Sequence, residues 1–203
     1  MFSFLKGGML TGAEIEKQIQ KGNIIIDPYD PKCLNPNSYN LKLHPQLLIY
    51  KRNYQNRSGL IPQSRAEFES RQYLNPIDMK CKNETIELNI PEDGLTLYPN
   101  TLYIGRTVER TSTDKFIPMI NGRSSGGRLG ISIHICAGFG DIGFDGTWTL
   151  EITAVEPVTI YPNAEIAQIC YFNPSGKVGK LYRGRYYKQE DATASRFYKA
   201  KEN

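Results

Sequence analysis

The sequence predicts a mainly β protein, a distorted antiparallel β-barrel or jelly roll with a short N-terminal helix. Three observations predict it. Apolar and polar residues alternate over several short stretches, clusters of Gly, Pro and Asn separate those stretches, and one segment alone carries good helix signals. With 203 residues, 39% apolar and 23% charged, the chain can bury one real core and is no disordered, collagen-like or coiled-coil sequence.

The helix comes first. Thr11-Gly12-Ala13-Glu14 reads as a capping box, in which hydroxyl and carboxylate satisfy each other's free amides. Ile15 and Ile19 follow at helical spacing, and Gly22 is placed to end the helix after Lys21. The period then switches to two. Tyr39, Leu41 and Leu43 alternate with polar partners, as do Ile86, Leu88 and Ile90. Leu129, Ile131, Ile133 and Ile135 repeat the pattern, and so do Trp148, Leu150, Ile152 and Ala154. Between them lie Pro36-Asn37, Glu92-Asp93-Gly94, Pro99-Asn100, Asn121-Gly122, Asp145-Gly146 and Pro162-Asn163, all turn formers. The stretch 51–82 has weak periodicity and reads as a long excursion or extra helix within the same domain. No internal repeat or linker divides the chain.

Charge and cysteine usage narrow the function classes. The net charge is +4, and all of the excess lies at the C-terminal end: residues 174–203 hold eight basic and three acidic side chains. Such a Tyr-rich basic tail suits phosphates, nucleic acid or an acidic partner, and equally a solvated end. Cys33, Cys81, Cys136 and Cys170 stand singly, and His44 and His134 are far apart, so the paired spacing of zinc sites and redox dithiols is missing. The cysteines read as reduced packing residues. No apolar run reaches the roughly 20 residues of a membrane helix, and the first residues do not resemble a signal peptide, so the expected location is the cytoplasm.

Three segments carry candidate chemistry. Asn121-Gly122-Arg123-Ser124-Ser125-Gly126-Gly127-Arg128 offers glycines for close backbone approach, two hydroxyl donors and two guanidinium forks, which suits an anion cradle, although Asn-Gly alone also makes a hairpin turn. In Thr147-Trp148-Thr149-Leu150-Glu151-Ile152-Thr153 the period of two puts Glu151 between Thr149 and Thr153 on the face opposite Trp148. Glu151 is there a general base or acid, or else an ordinary edge-strand charge or the salt-bridge partner of an arginine such as Arg128. Between them, the Gly-rich stretch from Ala137 to Gly146 presents Asp141 for a sugar hydroxyl and Phe144 for a sugar ring, or else forms a wide hairpin with an apolar plug. His134, on a strand face with Ser132 and Cys136, reads as a structurally satisfied histidine.

Taken in order, Gly122-Arg123-Ser124-Ser125, Arg128-Leu129-Gly130, His134, Ala137-Gly138, Asp141, Gly143-Phe144, Gly146 and Thr149-Leu150-Glu151 resemble the central signature of the dCTP deaminase family, within the dUTPase superfamily. Pro36-Asn37-Ser38-Tyr39-Asn40-Leu41-Lys42-Leu43, Glu165-Ile166-Ala167-Gln168 and Tyr182-Arg183-Gly184-Arg185-Tyr186 with Gln189 and Ser195-Arg196 are similar to its early strand, late strand and C-terminal lid. The resemblance implies a single dUTPase-like domain over 1–203, with 1–8 a flexible extension and 177–203 a mobile lid. It implies a homotrimer with shared active sites, dCTP, dUTP and dTTP as ligands, and neither nucleic acid nor membrane as partner. The implied chemistry is hydrolytic deamination of dCTP, with Mg2+ bound to the triphosphate and no zinc. Glu151 would be the base and acid, Ser124 would help hold water, and Arg128 would orient the carboxylate. Arg123, Ser125, Gly126 and Gly127 would bind phosphates. Asp141 would take the 3′-hydroxyl and Phe144 the deoxyribose, while Thr149 and Leu150 would frame the base through their backbone. Gln168, Tyr182, Arg185 and Gln189 would complete the phosphate and lid contacts.

The sequence departs from the family pattern in places. Gly140 and Ile142 flank Asp141 where an apolar residue and Pro are usual, which loosens that loop; Gly126-Gly127 replace a larger-plus-small pair; Asn40 stands where Asp is common and Arg185 where Lys is common. The leading expectation is dCTP deamination to dUTP and ammonia. The alternatives are a bifunctional enzyme releasing dUMP and diphosphate, which Ala137-Gly138-Phe139, Gln168 and the short lid suit, and a non-catalytic nucleotide-binding regulator. A barrel for single-stranded nucleic acid ranks below these, because the first 173 residues are almost neutral.

Overall fold

The N-terminal helix forms where its cap predicts. In the computed structural model, which describes residues 7–51 and 76–199, α1 spans Gly12–Gln20 and Thr11 Oγ1 accepts the Glu14 amide at 3.3 Å. The reciprocal half of the box does not form. The Glu14 carboxylate instead accepts from Gln18 Nε2 at 2.6 Å and Lys17 Nζ at 3.4 Å, because donors three and four residues on share its helix face. Ile15 is fully buried, and Gly22 follows the helix with φ +69°.

Strands make up most of the remaining regular structure: β1 (Gly8–Met9), β2 (Ile25–Asp27), β3 (Tyr39–Lys42), β4 (Gln46–Tyr50), β5 (Thr85–Asn89), β6 (Leu95–Leu97), β7 (Tyr103–Ser112), β8 (Ile117–Gly122), β9 (Ile131–Ser132), β10 (Asp145–Ala154), β11 (Val158–Ile160) and β12 (Glu165–Asn173). Among the described residues every strand pairing is antiparallel. In one sheet β12 pairs with β1, β3 and β8; the other runs β5-β4-β7-β10-β9, with β2 also on β7; β6 and β11 form a ribbon. A bridge from Leu43 to Thr107 joins the end of β3 to β7. Tyr39, Leu41, Leu47, Leu150, Ile152, Ile169 and Tyr171 from the two sheets share one core. The expected excursion over 51–82 lies mostly outside the described residues. Among the described residues no helix is long and apolar enough to cross a membrane.

Two local expectations are corrected. Asn121 and Gly122 form no hairpin turn; they are still in β8, opposite Gln168 and Ala167 of β12, and the chain then winds into a helical turn, α2 (Ser124–Arg128), in which the Gly127 amide bonds Arg123 O at 3.0 Å. The alternation from Leu129 to Ile135 also fails as a strand. Only Ile131–Ser132 is extended, because Gly130 turns the chain at φ +75°, and Leu129 and Ile135 are left 61% and 64% exposed. His134 therefore shares no strand face with Ser132 and Cys136. Its Nδ1 is buried and bonds no described residue.

β10 follows the sequence pattern. Trp148, Leu150, Ile152 and Ala154 are buried, and Thr149, Glu151 and Thr153 emerge on the opposite face. A bulge between Thr147 and Thr149 shifts the register against β7. Next to β3, Glu109 of β7 is 2% exposed and accepts the Lys42 amide at 2.9 Å; burial pushes its carboxyl above the ordinary value.

Candidate active site

A cleft of about 470 Å3 opens between β10, the loop that precedes it and the C-terminal segment. Glu151 lines it because β10 turns that face away from the core. Its backbone amide bonds Ile133 O at 2.8 Å, and its Oε2 accepts the Ile135 amide at 2.9 Å. Carboxylate and loop thus fix each other, and no described residue bonds Oε1. A held carboxylate with one unengaged oxygen can take a proton from water and pass it on.

One wall is aromatic. Phe144 lies 4.6 Å from Trp148 and 6.1 Å from Tyr182, ring centre to ring centre. Trp148 is pinned at both ends: its amide donates to Thr107 Oγ1 at 3.0 Å and its Nε1 to Thr111 Oγ1 at 2.8 Å. Gly140 packs under the indole so closely that a Cβ there would stand 2.2 Å from Trp148 Cη2. The loosening expected at Gly140 is therefore not found, since its missing side chain is the space the indole fills.

The C-terminal segment closes the other side. Gln189 bridges in parallel to Gly146: its carbonyl accepts the Thr147 amide at 3.0 Å, and its Nε2 donates to Thr147 O at 2.8 Å and Thr149 Oγ1 at 3.2 Å. Lys188 donates its amide to Asp145 O at 2.7 Å, and Tyr182 to Ile142 O at 2.8 Å. Gly146, at φ +147°, permits this seam; a Cβ there would lie 2.6 Å from Gln189 O.

Of the residues expected in the site, Asp141, Phe144, Thr149, Glu151, Tyr182 and Gln189 line this cleft. The others do not. Ser124, Ser125, Gly127 and Arg128 are exposed on α2, with Gly126 half-buried beside them, and Arg128 makes no ion pair with Glu151 among the described residues. Leu150 is core. Arg185 donates to Lys199 O at 2.6 Å. Gln168 braces the start of the turn, donating to Gly122 O at 3.1 Å and accepting from Ser38 Oγ at 2.9 Å. Arg123, the residue before α2, is tied to β12: its Nη1 meets Glu165 Oε2 at 2.5 Å and Glu165 O at 3.1 Å. One chain therefore holds the carboxylate, the aromatic wall and the tail in one place and the Arg/Ser turn in another.

Sequence reasoning missed some of the lining. The Ile135 amide that fixes Glu151 is backbone and has no sequence signature. Trp148 reads in the sequence as core alone, and Tyr186, whose amide bonds Tyr182 Oη at 3.2 Å, stands in the lid motif without a site role of its own. Among the described residues no three His, Cys, Asp or Glu side chains cluster as metal ligands.

A family model described as dCTP deaminase-like matches residues 9–173. A protein of Hathewaya histolytica named "dCTP deaminase, dUMP-forming" is 46% identical over 191 residues, 94% of this chain and 98% of that protein. The protein of the same name from Clostridium beijerinckii is 47% identical over 94% of this chain and 97% of its own length. Among solved structures, 2′-deoxycytidine 5′-triphosphate deaminase from Agrobacterium tumefaciens superposes with a TM-score of 0.55 at 19% identity, a likeness of fold that covers 83% of this chain and 49% of that one. With its mainly antiparallel β architecture, the Glu151 cleft and these matches together, the chain belongs to the dCTP deaminase-like family.

Proposed function

We propose that this protein is a hydrolytic dCTP deaminase that carries its product on to dUMP and diphosphate. The observation that carries the deaminase reading is Glu151, held by the Ile135 amide at the edge of a cleft walled by Phe144, Trp148 and Tyr182. The names of the relatives favour dUMP over dUTP as the released nucleotide.

In the first step water adds to C4 of cytosine, and Glu151 takes its proton. The carboxyl delivers that proton to N3; the carboxylate then takes the proton of the new C4 hydroxyl and passes it to the amino group, the C4–N4 bond breaks as the C4 carbonyl forms, and ammonia leaves a uracil ring. Asp141 binds the 3′-hydroxyl, and Phe144 lies against the deoxyribose. In the second step water attacks the α-phosphorus and diphosphate leaves. Magnesium comes with the triphosphate, as is usual for an ion that keeps its own waters and binds phosphate oxygens.

The phosphate-binding role of Arg123, Ser124 and Ser125, and the role of Arg128 beside Glu151, require a second copy of the chain to bring α2 to the cleft. The exposed serines and Arg128 support that reading, as do four large exposed apolar side chains near them in sequence or pairing: Leu129, Ile135, Phe139 and Val155. The assembly we propose is the homotrimer. The residues from 177 onward act as a lid over the nucleotide, and the protein works in the cytoplasm.

The test is to incubate the purified protein with dCTP and magnesium, separate the nucleotides, and assay ammonia and diphosphate. Ammonia with dUMP and diphosphate is expected. Ammonia with accumulating dUTP would leave the deaminase and remove the second step, and a folded protein giving no ammonia would leave a nucleotide-binding regulator. Light scattering of the same sample is expected to give three copies; a fully active monomer would end the shared-site reading.

A further inference from the structure

We propose that Glu165, steadied by Asn40, is a positioning residue that sets Arg123 in place for a nucleotide phosphate; this rests on the phosphate-binding role given to Arg123 above. Arg123 precedes α2 without capping it. One nitrogen of its guanidinium, Nη1, is held twice by the same residue, by the Glu165 carboxylate at 2.5 Å and by the Glu165 carbonyl at 3.1 Å. Nε and Nη2 bond no described residue. A guanidinium has five donors in a rigid plane. Fastening one corner fixes the plane and leaves the other nitrogens to a second anion.

Glu165 is itself held. Its Oε2 also accepts Asn40 Nδ2 at 2.8 Å, and Asn40 Oδ1 accepts Asn35 Nδ2 at 2.7 Å. Asn40 is 4% exposed, so this amide has a fixed place and a fixed orientation, donating to the carboxylate on one side and accepting on the other. A carboxylate at position 40 would set like charge against Glu165 at hydrogen-bond distance. Three residues further along β12, Gln168 ties Gly122 O, and Ser38 ties Gln168. The turn is therefore braced at Gly122 and at Arg123 by one strand, with β3 and the residues before it behind that strand.

The consequence is kinetic. An exposed arginine loses rotamer freedom when it closes on a phosphate, whereas one already fastened loses less, so Glu165 contributes to affinity without touching substrate. A plain structural bolt would change stability and leave KM alone. The experiment measures ammonia release from dCTP and magnesium by the full-length protein and by Arg123→Gln, Glu165→Gln, the double variant and Asn40→Asp, with melting temperatures alongside. Arg123→Gln is expected to raise KM for dCTP about tenfold or more. Glu165→Gln is expected to raise it about three- to tenfold, with a smaller fall in kcat. The double variant should be no worse than Arg123→Gln, because Glu165 acts only through that side chain. Asn40→Asp should raise KM in the same direction as Glu165→Gln. Inorganic triphosphate, used as a competitive inhibitor, should lose affinity for Glu165→Gln by the same factor.

If Arg123→Gln raises KM and Glu165→Gln does not, or lowers it, the positioning role is overturned and the phosphate reading of Arg123 stands. If Glu165→Gln lowers the melting temperature with KM unmoved, Glu165 is a bolt and the proposal fails. If Arg123→Gln leaves KM unchanged, the phosphate reading itself falls and takes the proposal with it.

Discussion

Gly140→Ala should damage the protein out of proportion to one methyl group. The added Cβ would lie 2.2 Å from Trp148 Cη2, 3.0 Å from Cζ3 and 2.9 Å from Pro118 Cγ. The first of these is roughly 1.3 Å inside the distance at which carbon atoms pack. The indole cannot swing aside freely, because Phe144 lies against it and its Nε1 is bonded to Thr111 Oγ1. The loop is also held, its Gly140 amide donating to Pro118 O at 2.9 Å. Relief comes from overpacking the core, at about 1–3 kcal/mol, or from tearing the indole N–H off its acceptor, at about 1–3 kcal/mol. Either loss, about 1–3 kcal/mol, corresponds to a fall in melting temperature of roughly 2–12 °C in a chain of this size, and the two together to about twice that. The assay is built in, since Trp148 is the single tryptophan and its emission reports on this contact. The variant should melt early, with red-shifted emission before the transition. Melting within about 1 °C of wild type with unmoved emission would refute the packing argument.

Other substitutions test other parts of the molecule. Glu151→Gln should cut ammonia release by about 100-fold or more while nucleotide still changes Trp148 fluorescence; turnover near wild type would remove Glu151 from the chemistry. Gly146→Ala should open the seam to Gln189, where a Cβ meets the carbonyl at 2.6 Å, and a protease should then clip the C-terminal segment faster than in wild type. Glu109 gives a pH test. Burial raises its carboxyl above the ordinary 4.5, so the folded state holds that proton more tightly than the unfolded chain. This group's contribution to stability therefore falls as pH climbs from 4.5 through the raised value, and Glu109→Gln should gain on wild type across that window in denaturant titrations. A difference between the two that does not vary with pH would count against a buried, ionising Glu109.

What could be read in the sequence was whatever a short-range pattern controls. The alternation across Trp148–Ala154 correctly places Glu151 between two threonines on the face away from the core, and Thr11 marks the helix start. The same rule misreads Leu129–Ile135, where period two is present but Gly130 breaks the extended backbone that the pattern presupposes. Asn121-Gly122 has the composition of a hairpin turn, yet its strand is committed to β12, a partner more than 40 residues away that no local signal announces. The place of Trp148 in the aromatic wall and the Ile135 amide escaped for a related reason. Both depend on remote backbone placing groups together, and an N–H donor exists at nearly every position. Gln168 also braces the start of the turn through Gly122 and Ser38, contacts with partners remote in sequence that no local pattern marks.

The seam between the tail and β10 has a consequence for how this protein can diverge. Lys188 and Gln189 fasten largely through main-chain groups, to Asp145 O and to the Thr147 amide, and such bonds do not depend on which side chains the tail carries. Substitutions can therefore accumulate around Arg183, Tyr187 and Lys188, retuning charge and shape over the cleft, while closure itself persists. The cost of that freedom falls on one residue of the barrel, Gly146, which has to remain without a side chain for any tail sequence to lie down beside it.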